Sequence, residues 1–269
     1  MTLPIHIDTD NGLGSPRGDV DDGFAIAALL KSQLNVLGIS SVSGNTPSLL
    51  SYHNCLALAK ECHYSGPIQV GMSTPEINPA ADLIRSYQQP FTLLALGPLT
   101  NVAQCLHAPI QRLIVVGGNF TSKGRWPPLY PFEYNLTKDR AATCAVFNAA
   151  LPITIVPLDV AGRFRFSFNQ LFTLPGRIGE YCRQHARRWY RRARILKWQS
   201  TVPIWDLLAA MSLLHPEAIT TQTSYVQCHS NGWLEFTRNP QPGFRPVDVV
   251  TEFNQAQLWC EFCTLLKEG

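Results

Sequence analysis

The feature that most limits the fold of this chain is an alternation of short β-rich runs with apolar patterns of helical period. A β-rich run at 3–8 is followed by a helical pattern at 22–32, a second run at 36–42 and a helical pattern at 49–62. The order continues with a run at 92–96, a helix after Gly97, a run at 112–116, a helix at 139–148 and a run at 153–157. Repeats of strand, helix and strand lay successive strands side by side and parallel, with each helix crossing a face of the sheet. The sequence therefore predicts an α/β fold built on a doubly wound, mostly parallel sheet with a Rossmann-like core. Beyond Leu158 the pattern turns irregular: an arginine-rich segment at 183–197, a helix at 204–214 and short runs at 225–227 and 247–251. That part reads as an appended C-terminal layer of helices and small strands. No internal boundary interrupts the pattern, so residues 1–269 are expected to form a single domain.

Apolar residues supply 45% of the chain and charged residues 15%, enough for a large core and too little charge for a disordered segment. The longest apolar runs, at 91–96 and 151–158, have strand length. They fall far short of the roughly 20 residues that cross a bilayer, so no membrane span is expected. The eight cysteines are scattered and the first ten residues carry no secretion signal, which favours a reducing, cytoplasmic setting. Cys260 and Cys263 form a CxxC, but a helical pattern at 258–266 puts both thiols on one buried face, and no second pair lies at zinc-site spacing. The arginines between Arg183 and Lys197 read as the solvated side of a helix whose Trp189 and Tyr190 pack inward, in preference to a nucleic-acid surface. A net charge of +3 points to no particular partner.

Ligands of open parallel sheets bind beyond the carboxyl ends of the strands. Polar clusters fall at those ends: Asp8 and Asp10, then Gly44 and Asn45, then Gly97 to Asn101, then Gly117 to Asn119. One site is implied. Its most informative part is Asp8-Thr9-Asp10-Asn11-Gly12 followed by Asp19-Val20-Asp21-Asp22 and an apolar helix, which places five carboxylates within fifteen residues. Acids this dense repel one another unless they share a cation, and an all-oxygen set suits calcium or magnesium. A single aspartate at a helix start has a plainer use as a cap, and Asp21 or Asp22 fits that use taken alone.

The cluster resembles the signature of the inosine-uridine-preferring nucleoside hydrolase family, an aspartate-rich loop DxDxG followed by a paired DD. Further matches follow in family order: Gly44-Asn45, Gly97-Pro98-Leu99-Thr100-Asn101, Val116-Gly117-Gly118 with Glu133-Tyr134-Asn135, and Trp205-Asp206 at the start of a late helix. The resemblance implies hydrolysis of the bond between ribose and base of a ribonucleoside, with Ca2+ as cofactor. It makes Asp10, Asp22, the backbone carbonyl of Thr100 and Asp206 the metal ligands, and Asp10 also the catalytic base that takes a proton from water. It gives Asp21, Asn45, Glu133 and Asn135 to the ribose. It further implies a homodimer or homotetramer.

Two stretches depart from the family pattern. The ten residues between Asp10 and Asp21 make a longer loop than most relatives have, which leaves open whether Asp19 takes over one contact. Ahead of Glu133 many relatives place a Gly-Asn pair, where this chain reads Gly124-Arg125-Trp126-Pro127-Pro128. Trp205 resembles the purine-preferring branch, in which tryptophan replaces a histidine that serves as the acid for the departing base. An indole stacks on a purine but has no proton to give at neutral pH, and ordinary packing at a helix start is its plainer use. Trp126 is the candidate for a second stacking face. Two other functions compete: a nucleoside-binding module with weakened catalysis on the same scaffold, and a magnesium phosphatase using Asp8-Thr9-Asp10. The phosphatase reading leaves the Gly97–Asn101 and Trp205-Asp206 motifs without a role.

Overall fold

The computed structural model describes residues 3–16, 18–72, 77–120, 133–197 and 200–267. Strand β1 (Ile5–Thr9) leads through the aspartate-rich loop into α1 (Asp21–Lys31), followed by β2 (Val36–Ser41), α2 (Ser48–Glu61), β3 (Ile68–Val70) and α3 (Pro79–Ser86). Next come β4 (Phe91–Ala95), the short α4 (Thr100–Ala103), β5 (Ile110–Val116), α5 (Tyr134–Lys138), α6 (Arg140–Asn148) and β6 (Ile153–Val156). The remainder holds α7 (Leu158–Ala161), β7 (Arg165–Ser167), α8 (Phe168–Phe172), α9 (Gly176–Lys197), β8 (Thr201–Pro203) and α10 (Trp205–Leu214). It ends in β9 (Ile219–Cys228), β10 (Leu234–Thr237), β11 (Arg245–Phe253) and α11 (Gln255–Lys267).

Among the described residues the main sheet has nine strands in the order β10-β9-β11-β6-β5-β4-β1-β2-β3. From β1 the chain first steps outward through β2 to β3, then returns to β4 on the other side of β1 and runs outward again through β5 and β6. The strands β1 to β6 pair in parallel throughout. The order therefore reverses between β1 and β4, and the crevice beyond the carboxyl ends of those two strands is where the fold opens a site.

Side chains alternate across the sheet with period two. Leu94 and Leu96 join one core with α1, α9, α10 and α11, while Leu93 and Ala95 join a second core with α4 and α6. Helices α1 and α10 are buried almost all round, from Asp21 to Leu29 and from Asp206 to Ser212, as expected of helices apolar on every face. They pack on each other, which brings their N-termini, and the aspartates there, together.

The α/β class and the mostly parallel sheet are as the sequence predicts, and the C-terminal part differs in detail. Its helices cover one face, but β9, β10 and β11 lengthen the main sheet: β11 pairs in parallel with β6, and β9 pairs antiparallel with both β11 and β10. Val247 and Val249 are buried beside Ile153 and Ile155 in the second core, so the strand completes a face of the sheet instead of standing apart. In α9, Trp189 and Tyr190 pack inward while Arg187, Arg188 and Arg191 face solvent. The expectation for Cys260 and Cys263 is corrected: Cys260 is exposed and Cys263 half-buried, because α11 turns Leu258, Phe262 and Leu266 inward at a spacing of four. No helix among the described residues is long and apolar enough to cross a membrane.

Candidate active site

Two tight approaches close over the end of β1. Asp10 accepts a hydrogen bond from the backbone amide of Asn45 at 2.5 Å. A Cβ on Gly44 would lie 1.9 Å from Asp10 Oδ2, and one on Gly97 2.9 Å from Oδ1. Glycine at both positions is thus what lets the loops after β2 and β4 reach Asp10, which explains two of the sequence motifs physically. Asp8 lies underneath, fully buried, with Oδ1 accepting from Ser40 Oγ at 2.5 Å and Asn101 Nδ2 at 2.8 Å. Its Oδ2 is buried with no hydrogen-bond partner among the described residues.

Asp21 and Asp22 open α1, and Asp206 opens α10. One carboxylate oxygen from each lies within 4.8 Å of the other two. Asp10 and Asp22, and Asp22 and Asp206, are within hydrogen-bonding reach of each other, and Thr9 Oγ1 donates to Asp22. Burial pushes the Asp10 carboxyl up to about 7 and that of Asp21 to about 8, with the charge of Asp19 adding to both. Burial, then Asp10 and Asp21, hold Asp22 well above the ordinary range; burial, then Asp21, Asp22 and Asp10, do the same to Asp206. Buried acids with so few donors are costly as anions, and a cation among them removes both the repulsion and the desolvation penalty. The donor set is entirely hard oxygen, so the residues present fit a hard divalent metal ion. Thr100 begins α4, just after Gly97, and its Oγ1 donates to Asp139 Oδ2 at 2.7 Å.

The other wall comes from α5. Glu133 caps that helix, its two oxygens accepting from the amides of Asn135 at 2.8 Å and Leu136 at 2.6 Å, and burial pushes its carboxyl up to about 8. Asn135 Nδ2 donates to the carbonyls of Leu96 at 2.8 Å and Val116 at 3.1 Å, joining the ends of β4 and β5. Tyr134, to which the sequence assigned no role, donates its hydroxyl to Gly44 O at 2.8 Å and so ties this wall to the loop over Asp10. Its only sequence signal is its place between Glu133 and Asn135. Asn45 has an exposed side chain beside Asp10, and Trp205 is half-buried against the core next to Asp206.

Asp21, and not Asp19, joins Asp22 and Asp206 in the cluster. Asp19 instead accepts from Trp189 Nε1 at 2.7 Å and lies 3.9 Å from Arg192. Asp159 accepts from the Phe120 amide at 3.0 Å, holding the loop after β5. Arg17, Trp126 and the stretch from Gly124 to Pro128 lie outside the described residues.

The family model for the inosine-uridine preferring nucleoside hydrolases matches residues 5–260. The non-specific ribonucleoside hydrolase RihC of Salmonella paratyphi C is 29% identical, over 95% of this chain and 91% of its own length. A solved plant nucleoside hydrolase superposes with a TM-score of 0.82 at 19% identity, over 100% of both chains. A purine-preferring ribonucleoside hydrolase from Gardnerella vaginalis does so at 0.79 and 18%, over 98% of both. The two structures share the fold, and the family match extends over nearly the whole sequence, including every strand end that carries an acid of the site. The chain belongs to the inosine-uridine preferring nucleoside hydrolase family.

Proposed function

We propose that this nucleoside hydrolase cuts the N-glycosidic bond of ribonucleosides, purine nucleosides preferred, with a calcium ion held by Asp10, Asp22, Asp206 and the carbonyl of Thr100. The observation that carries the reading is the convergence of the buried carboxylates of α1 and α10, with Asp10 just beyond β1 in hydrogen-bonding reach of Asp22, at the point where the strand order reverses. A calcium ion bound there supplies the charge that makes an adjacent water more acidic.

Asp10 is the group to receive that water's proton, because the Asn45 amide and the two glycine approaches hold its carboxylate in one orientation. The water oxygen then bonds to the anomeric carbon as the bond to the base nitrogen breaks, and the base leaves with the electron pair. Positive charge develops on the sugar in the transition state, and the surrounding carboxylates favour it. Asp21 and Asn45 orient ribose hydroxyls from one side, and Glu133 and Asn135 do so from the other. Trp205 stacks on the base, which favours purines for their larger face. The reading carries with it a homodimer or homotetramer, which light scattering checks.

The test is release of free base and ribose from a panel of purine and pyrimidine nucleosides, with calcium and after chelation, for wild type and Asp10→Ala. Turnover is expected with calcium and purines, with a drop of about 10²–10⁴-fold in Asp10→Ala, the usual worth of a positioned base. Nucleoside binding without cleavage by the calcium-loaded wild type would sink the hydrolytic reading for these substrates.

A further inference from the structure

The described residues between Asp10 and Asp21 belong to no helix or strand, yet Asn11, Gly12, Leu13, Ser15, Gly18 and Val20 are buried. Three ties account for that. Asn54 of α2 donates through Nδ2 to Asn11 O and to Ser15 Oγ, both at 2.8 Å. The loop folds back on itself so closely that a Cβ on Gly12 would lie 2.4 Å from Asp19 O. The third tie is the hydrogen bond from Trp189 Nε1 to Asp19 Oδ1 at 2.7 Å, which joins residues 170 positions apart.

This third tie has a particular consequence for the carboxylates. Val20, at the N-cap of α1, makes no side-chain cap, so the first turn is oriented by contacts from elsewhere: Thr9 Oγ1 donates to Asp22, and the backbone amide of Asp206 bonds to Asp21. The approach of the chain to that turn is fixed two residues before Asp21, where α9 holds Asp19. Trp189 is a well-fixed donor: it is 8% exposed, its ring packs edge-on to Tyr190, and its indole nitrogen only donates. The same bond faces the Asp19 carboxylate toward α9 and Arg192, outside the cluster of Asp21, Asp22 and Asp206.

We infer that Trp189 is a positioning residue: its indole N–H anchors Asp19 to α9 and thereby fixes the entry into α1 that sets Asp21 and Asp22 for the cation. The arginine-rich helix α9 is then part of the scaffold of the metal site. This rests on the metal site of the proposed function, and the experiment separates the two.

Calcium affinity is measured by titration calorimetry on the full-length wild type, Trp189→Phe, Asp19→Ala and the double variant, with the melting temperature of each calcium-free protein as a control for folding. Trp189→Phe keeps an aromatic ring and removes the donor. The expected result is calcium binding weakened about tenfold in each single variant, as for loss of one hydrogen bond to a charged group. The double variant is expected to be no weaker than the worse single one, because both changes break the same bond. Asp19→Asn keeps the acceptor and is expected to stay within about threefold of wild type. Excess calcium is expected to return kcat of Trp189→Phe to near the wild-type value, which a general packing defect would not allow. Unchanged calcium affinity in Trp189→Phe, or losses that add in the double variant, would overturn the positioning role while leaving the site intact. Absence of calcium binding by the wild type would overturn the site itself.

Discussion

The two walls of the crevice are built on opposite terms. In the wall formed by β1, α1 and α10, four carboxylates are buried against one another, and Asp8 Oδ2 beneath them has no hydrogen-bond partner among the described residues. In the wall formed by α5, both oxygens of Glu133 accept backbone amides and the Asn135 amide bridges two carbonyls. One wall is electrostatically complete only with a cation present. The other is complete from the chain itself, held in place before any ligand arrives. Metal removal should therefore loosen the first wall and spare the second, and mutations should divide along the same line.

The sharpest attempt to break that contrast is Asp22→Asn. Activity is expected to fall by about 10³-fold or more, since on the proposed function a ligand of the metal would be lost. At a pH high enough to ionise Asp22, the calcium-free variant is nevertheless expected to melt higher than calcium-free wild type, because a buried anion that repels Asp10 and Asp21 has gone. Calcium should raise the melting temperature of wild type and leave this variant nearly unmoved. A calcium-free variant that melts lower than wild type would show that the acids are held by something other than a shared cation.

Acidity tests the same wall. Asp10 and Asp21 have carboxyls raised from 3.8 to about 7 and about 8 in the folded chain. A group that binds its proton more tightly when folded adds stability below its unfolded pKa, and loses it as the pH rises through the folded value. Calcium-free protein should therefore lose stability between about pH 4 and pH 8, whereas calcium competes with those protons and should stabilise more as the pH rises. Melting temperatures across that range, with calcium and with chelator, are the measurement. Equal pH profiles in the two conditions would contradict it.

The contrast also bears on how much of this molecule was legible in its sequence. The aspartates from Asp8 to Asp22 lie within one short stretch, and Asp206 is marked by the tryptophan before it, so the carboxylate wall could be read locally. The alternation of runs gave the parallel sheet because each of those strands is long enough to carry a pattern. Strand β3, three residues long, carries none. The alternating valines of β11 look the same whether the strand completes the main sheet or covers it, so its pairing with β6 could not be read. Contacts that side chains make with remote parts of the chain left no trace at all: the Tyr134 hydroxyl reaches the Gly44 carbonyl across 90 positions, and Trp189 reaches Asp19 across 170. Those two bonds join the loops of the site to one another and to its scaffold, which is the part of the arrangement that only the folded chain displays.

On the α5 wall the expected losses are smaller and independent of metal. Glu133→Ala removes a helix cap and leaves two amides unpaired, a cost of about 1–3 kcal/mol in stability. Denaturant unfolding should show the same loss with calcium and with chelator. A loss confined to the calcium-loaded protein would mean that the two walls are coupled and that Glu133 serves the metal site.

The smallest effect is expected at Trp205, which belongs to neither wall's electrostatics. It is half-buried against the core, so part of its surface is already used in packing and only the remainder is left for a base. Base stacking on an aromatic is worth about 1–3 kcal/mol, and the partial burial argues for the lower end. Trp205→Leu should then lower kcat/KM for purine nucleosides about tenfold and for pyrimidine nucleosides by less than about threefold, since the smaller ring overlaps less with the indole. Equal losses for both classes, accompanied by a lower melting temperature, would assign Trp205 to the packing at the start of α10. Base preference would then rest on residues other than Trp205, and the chain would be closer in behaviour to relatives named non-specific, such as that of Salmonella, than to the purine-preferring enzyme of Gardnerella.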